Sequence, residues 1–185
     1  MNTEKVEHID LNKALYVFEL DDVLFPKQDY VLQVYYLFGS FYEFTEGTAK
    51  ANELAQLMKK VHLHHGEDKV FDAVKEIYHV DEKYRENLER LRANAQLPLR
   101  LELFDNTKTL LKQLFEADKK VAILTKGNPV EQLNKLKFIN WAELDIYKDR
   151  IKIYFLDELL HRNIDVNPYL ADDFGVSVDD MLLIG

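Results

Sequence analysis

Residues 14–24 read ALYVFELDDVL, and the rest of the chain is interpreted around them. Ala14 to Leu20 is a short apolar run with aromatic and branched residues, bounded by Asn12-Lys13 in front and acidic residues behind. Such a run suits a strand buried in a parallel sheet. Side chains alternate along extended chain, so Glu19 and Asp21 point to the same side wherever the strand geometry persists. Two carboxylates that close raise each other's pKa unless a cation intervenes, and a hard divalent ion with oxygen ligands, such as Mg²⁺, fits that environment. Taken alone, the same ELDD segment also reads as a solvated turn.

Downstream, the period changes. Val31, Val34, Tyr35, Phe38, Phe41 and Tyr42 recur at helical spacing with polar residues between them, which predicts an amphipathic helix. Helical patterns continue at Ala49 to His62, Val70 to Tyr78 and Glu82 to Ala95, broken at His64-His65-Gly66 and Val80-Asp81. Pro98 ends this block, and Asn106 is placed to cap a helix carrying Leu110, Leu111, Leu114 and Phe115. Strand-like runs then return as KVAILT at Lys120 to Thr125, IKIYFL at Ile151 to Leu156 and MLLI at Met181 to Ile184. Helices are expected from near Val130, after the Gly127-Asn128-Pro129 turn, and over Pro168 to Phe174. Strands separated by helices predict an α/β fold with a parallel sheet, formed by residues 1–25 and 100–185, with 26–99 inserted as a helical cap domain.

Ligands of a parallel α/β sheet bind beyond the carboxyl ends of its strands. Besides Glu19 and Asp21, that rule singles out Thr125, Lys126 and Gly127, where a hydroxyl, an ammonium and backbone N–H groups at a helix start can meet an anion. A turn containing Gly and Asn also needs no ligand to explain it.

Composition narrows the function classes. At 185 residues with 47% hydrophobic content, the chain can bury one core and carry a sizeable insertion. Acidic residues outnumber basic ones 33 to 24, and no basic stripe suggests nucleic acid as a partner. With no cysteine, thiolate catalysis and cysteine-type zinc sites are excluded. Residues Met1 to Lys13 are charged, and nowhere do 18 consecutive apolar residues occur, so a cytoplasmic protein without a membrane partner is expected. His62, His64 and His65 form an HxHH cluster at a helix end in the cap without carboxylates at ligand spacing, which argues against a metal site. The aromatic stripe of Tyr35, Phe38, Phe41 and Tyr42 could line a substrate pocket, but cap packing explains it more simply.

The order of these features resembles the haloacid dehalogenase superfamily. Its first motif, an apolar strand ending in aspartate, any residue, aspartate, then a small or acidic residue, Thr or Val, and Leu, is similar to Phe18-Glu19-Leu20-Asp21-Asp22-Val23-Leu24. Its second, an apolar strand ending in Thr or Ser, is similar to Val121 to Thr125, and the helical block between them resembles the family's cap. The resemblance implies a phosphatase-type hydrolase of small phosphomonoesters. Glu19 would stand at the nucleophile position, Asp21 would be the acid and base, and Thr125 would hold a phosphate oxygen with Lys126 as an extra contact. Mg²⁺ would rest on a Glu19 oxygen and the Asp21 carbonyl.

Three departures bear on activity. Glu19 is one methylene longer than the aspartate it replaces, and a misplacement of about 1 Å can cost on the order of a hundredfold in rate. The family's charge-neutralising lysine, usually just before a proline, has no counterpart in Ile164-Asp165-Val166-Asn167-Pro168. Its last motif sets acidic metal ligands after a Gly that follows the fourth strand, and the sequence stops at Gly185. A weakly active hydrolase and a catalytically inactive relative kept for ligand or protein contact are therefore the two expectations. A receiver domain of a signalling pathway also has an acidic pair after its first strand, but the long helical insertion argues against it.

Overall fold

The computed structural model describes residues 9–185. Residues 1–8, part of the charged N-terminal stretch read above, lie outside the described residues. The chain divides into two compact units, one ending at Lys27 and resuming at Arg100, the other spanning Gln28–Leu99.

Strand β1 (Leu15–Phe18) opens the first unit. The second unit holds α1 (Lys27–Glu46, begun in the first), α2 (Ala51–His65), α3 (Val70–Tyr78) and α4 (Arg85–Asn94). The chain then gives β2 (Leu101–Glu102), α5 (Asp105–Glu116), β3 (Lys120–Thr125), α6 (Pro129–Phe138) and β4 (Ile139–Asn140). It finishes with β5 (Lys152–Phe155), α7 (Leu156–His161), α8 (Val166–Phe174) and β6 (Met181–Ile184).

The main sheet is parallel with order β5-β3-β1-β6, so β1 lies inside it, paired with β3 on one side and β6 on the other. That position explains the unbroken apolar run. Leu15 and Val17 join Ala122, Leu124 and Met181 in a cluster with Leu159 of α7 and Leu170 of α8, while Tyr16 and Phe18, also fully buried, point to the opposite face. The edge strand β5 is more exposed. A separate pair, β2 with β4, has only two residues per strand, too short for any period to announce it in the sequence.

Local chemistry sets the element ends. The Asn128 side chain accepts from the Val130 N–H at 2.9 Å and Pro129 takes the first helical position, so α6 starts where the turn signal placed it. Asn106 is not the cap expected of it. α5 begins at Asp105, and the Asn106 side-chain oxygen accepts from the next residue's N–H instead. The helix forms earlier because Phe104 is already fixed by donating its N–H to the Leu24 carbonyl at 2.9 Å. IKIYFL shortens likewise to Lys152–Phe155, because Leu156 opens α7.

In the helical unit, Tyr35, Phe38 and Tyr42 of α1 are buried. Their rings meet His62, Phe71 and Tyr84 edge-on, so the aromatic stripe packs against α2, α3 and the turn before α4. His62 is engaged there through its Nδ1 with the Tyr35 hydroxyl at 3.1 Å, and burial pushes that phenol's pKa up. The backbones of α1 and α2 approach closely at Gly39, where a Cβ would stand 2.5 Å from the Ala51 carbonyl oxygen. No described helix is long and apolar enough to cross a membrane.

The segment after β1 is held by bonds of its own unit. Leu24 N–H reaches the Leu20 carbonyl at 3.1 Å, Asp22 N–H reaches Phe25 at 3.0 Å, and the fully buried Thr107 hydroxyl donates to the Val23 carbonyl at 2.8 Å. Thr107→Val keeps the shape but leaves that carbonyl without its donor. It is expected to lower stability by about 1–3 kcal/mol in urea denaturation.

Candidate active site

Parallel pairing of β1 and β3 places the residues that follow Phe18 beside the end of Thr125. Glu19 and Thr125 meet: the buried Thr125 hydroxyl donates to Glu19 Oε1 at 3.1 Å, and the Leu20 N–H donates to the same oxygen at 3.2 Å. Glu19 is in turn anchored by its own N–H, which donates to the Ile184 carbonyl of β6 at 2.8 Å. The two side chains expected to act together, Glu19 and Thr125, are thus hydrogen-bonded to each other.

Asp21 has further partners of its own. β1 proper ends at Phe18, Leu20 lies in a bend, and Asp22 adopts a left-handed conformation with φ 60°. Aspartate tolerates that conformation. The partner of Asp21 is Lys135, whose Nζ lies 2.8 Å from Oδ2, with the Gln132 carboxamide nitrogen at 3.5 Å. Lys135 is completely buried and also pairs with Glu131 at 2.9 Å, one turn earlier on α6. One oxygen of Asp21 thus faces an ammonium. This buried lysine comes from α6 and not from the segment before Pro168, and it meets Asp21 and Glu131. Its signal in the sequence was Glu131-x-x-x-Lys135, one helical turn beginning two residues after Pro129, which reads as an ordinary surface pair until its burial is known.

The anion-binding loop is also engaged by the chain itself. β3 and β5 pair so that Thr125 is level with Phe155, which brings the residues two further on, Gly127 and Asp157, alongside each other. The Gly127 N–H donates to Asp157 Oδ2 at 2.9 Å. Gly127 has φ 109° and a Cβ there would lie 3.3 Å from Gln132 Nε2, so this turn requires glycine. Gln132 caps the loop by donating to the Lys126 carbonyl, while the Lys126 side chain is exposed. Gln132, Lys135 and Asp157 are the residues that sequence reasoning did not single out.

Mg²⁺ can be tested against this donor set. Glu19 Oε1 already accepts two hydrogen bonds and Asp21 Oδ2 faces an ammonium. Among the described residues, no three His, Asp or Glu side chains are gathered as metal ligands. Asp21 Oδ1, by contrast, is buried with no hydrogen-bond partner, the kind of oxygen a cation would satisfy.

No family model matches the sequence, and no curated protein matches it. Solved structures do. A hydrolase from Deinococcus radiodurans R1, described as of the HAD family and carrying bound phosphate and sodium, superposes with a TM-score of 0.51 at 15% identity over 94% of this chain and 72% of that one. An L-2-haloacid dehalogenase gives a TM-score of 0.51 at 18% identity over 93% and 77%. The chain has the haloacid dehalogenase (HAD) fold. Within that HAD sheet, Glu19 and Thr125 stand at adjacent carboxyl ends, where α/β folds place their ligands.

Removing the Lys135 charge isolates two carboxylates at once. Lys135→Met is expected to destabilise the protein by about 3–5 kcal/mol in chemical denaturation, the cost of breaking a buried ion pair from one side. Combining it with Asp21→Asn and Glu131→Gln should recover much of that loss, whereas a purely steric role for the lysine would give no recovery.

Proposed function

We propose that the chain is a HAD-type hydrolase whose phosphatase-type site turns over small phosphomonoesters feebly. The observation that carries this reading is the Thr125–Glu19 hydrogen bond, which joins a carboxylate and a phosphate-holding hydroxyl at neighbouring strand ends. In this chemistry a Glu19 oxygen bonds to phosphorus as the bond to the ester oxygen breaks, and Asp21 delivers the proton to the leaving oxygen. Asp21 then takes a proton from the water that cleaves the acyl phosphate. Thr125 would orient the phosphoryl group only after releasing Glu19.

Two features make turnover weak. Glu19 carries the extra methylene, and Asp157 occupies the Gly127 N–H that an anion would use. A phosphate charge about 4 Å from that carboxylate costs roughly 1 kcal/mol in water-like surroundings and about 4 at an intermediate dielectric. That corresponds to about five- to a thousandfold in affinity. The second reading, an inactive HAD-fold protein acting by ligand or protein contact, is favoured by the same Asp157 bond and by the pairing of Asp21 with Lys135.

Hydrolysis of an aryl phosphate separates the two. Wild type should be close to background with or without Mg²⁺. Glu19→Asp combined with Asp157→Ala should raise the rate by about tenfold or more, as in-line distance and the free Gly127 N–H are restored. Adding Asp21→Asn to that pair should abolish the gain, and EDTA controls report whether the gained activity uses metal. Robust wild-type turnover would show that glutamate serves as nucleophile and that the site is not weakened. No activity in any variant would favour the binding reading. Halide release from a 2-haloacid, the chemistry named for one of the structural neighbours, would redirect the proposal to attack on carbon.

A further inference from the structure

The parallel pair β2–β4 borders a surface groove of about 730 Å³, away from the strand-end residues and built wholly within the α/β unit. Its size lies in the range of small-molecule sites. Three observations distinguish it. Arg100 and Lys137 line it together, and both approach one ring, Phe138, with the guanidinium 5.8 Å and the ammonium 5.5 Å from the ring centroid. The guanidinium is further held by donating to the Lys137 backbone carbonyl at 3.1 Å. In a protein with 33 acidic and 24 basic residues, neither cation has a carboxylate partner among the described residues, although Lys148 on the same groove is paired with Asp145 at 2.8 Å. Like charges gathered without a counter-ion are stabilised by an anion between them.

The second observation is Trp141, the single tryptophan of the chain. It lines the groove half-buried, with no aromatic ring against it among the described residues. The third is the backbone beside it. Ala142 adopts φ 47°, an unusual conformation for a non-glycine residue, fixed by its N–H donating to Asn140 Oδ1 at 3.3 Å. Asn140 is locked in turn by donating to both oxygens of Glu102 at 3.1 Å across the β2–β4 pair. The indole is therefore mounted on a rigid, strained turn rather than on a free loop.

We propose that this groove binds an aromatic phosphate of nucleotide type, with its ring stacked on Trp141 and its phosphate held by Arg100 and Lys137. A guanidinium matches phosphate oxygens in a two-point contact, and an aromatic side chain offers a face to any base. The site is independent of the strand-end carboxylates and does not require them to be active.

The lone tryptophan reports on its own site. Titration of the full chain with adenosine 5′-monophosphate, followed by Trp141 fluorescence, should give saturable quenching that weakens as salt is raised. Adenosine alone and inorganic phosphate alone should each bind more weakly than the intact nucleotide. Arg100→Glu with Lys137→Glu should weaken nucleotide binding by about tenfold or more, since charge-assisted contacts turn into repulsion. Lys137→Ala, milder for folding, should give an intermediate loss, and circular dichroism checks that both variants are folded. Lys126→Ala, altered at the strand ends, should bind as wild type does. Quenching that does not saturate, or that is unchanged in both charge variants, would overturn the proposal. Equal loss in Lys126→Ala would place the ligand at the strand ends instead.

Discussion

A buried ammonium has to be paired, and the architecture around the strand ends follows from that constraint. Lys135 is removed from water entirely, and an uncompensated charge there would cost several kcal/mol. Two carboxylates answer it, Asp21 from the segment after β1 and Glu131 from the preceding turn of α6. The pairing ties α6 to the first motif-like segment, fixes the face that α6 presents, and brings Gln132 onto the Lys126 carbonyl.

The rest of the site shows the same economy. Two of the polar groups that a phosphate could use have partners inside the chain: Thr125 has Glu19, and Gly127 has Asp157. Such a site is stable without a ligand, because none of these donors is left unsatisfied in a poorly solvated place. The same property works against turnover. A substrate must displace hydrogen bonds that are already good and must approach three carboxylates near the strand ends, Glu19, Asp21 and Asp157, so binding energy is spent before any bond to phosphorus forms. The HAD fold and a self-satisfied HAD site are compatible, since folds carry sites without guaranteeing their chemistry.

Legibility followed interaction range. KVAILT and MLLI are strands over the residues expected, and Val70–Tyr78 is the helix expected, because apolar runs and helical periods bounded by breaks are local signals. The Asn128-Pro129 start of α6 was readable for the same reason. Asn106 misled because a residue with capping chemistry does not cap when the preceding residue is already fixed by a distant carbonyl, here Leu24. The partner of Asp21 was not legible, because Lys135 reaches it from α6, far along the chain.

By itself, the sequence determined the α/β order of elements, the buried character of the strand before Glu19, and the glutamate at that strand's end, all of which depend on residue type and near neighbours. Only the tertiary structure decided which charges meet. Lys135 lies 114 positions from Asp21, and Asp157 lies 30 from Gly127. No local pattern encodes those pairs. They arise because parallel pairing sets β1, β3 and β5 in register and because a lysine excluded from water must find carboxylates wherever the fold delivers them.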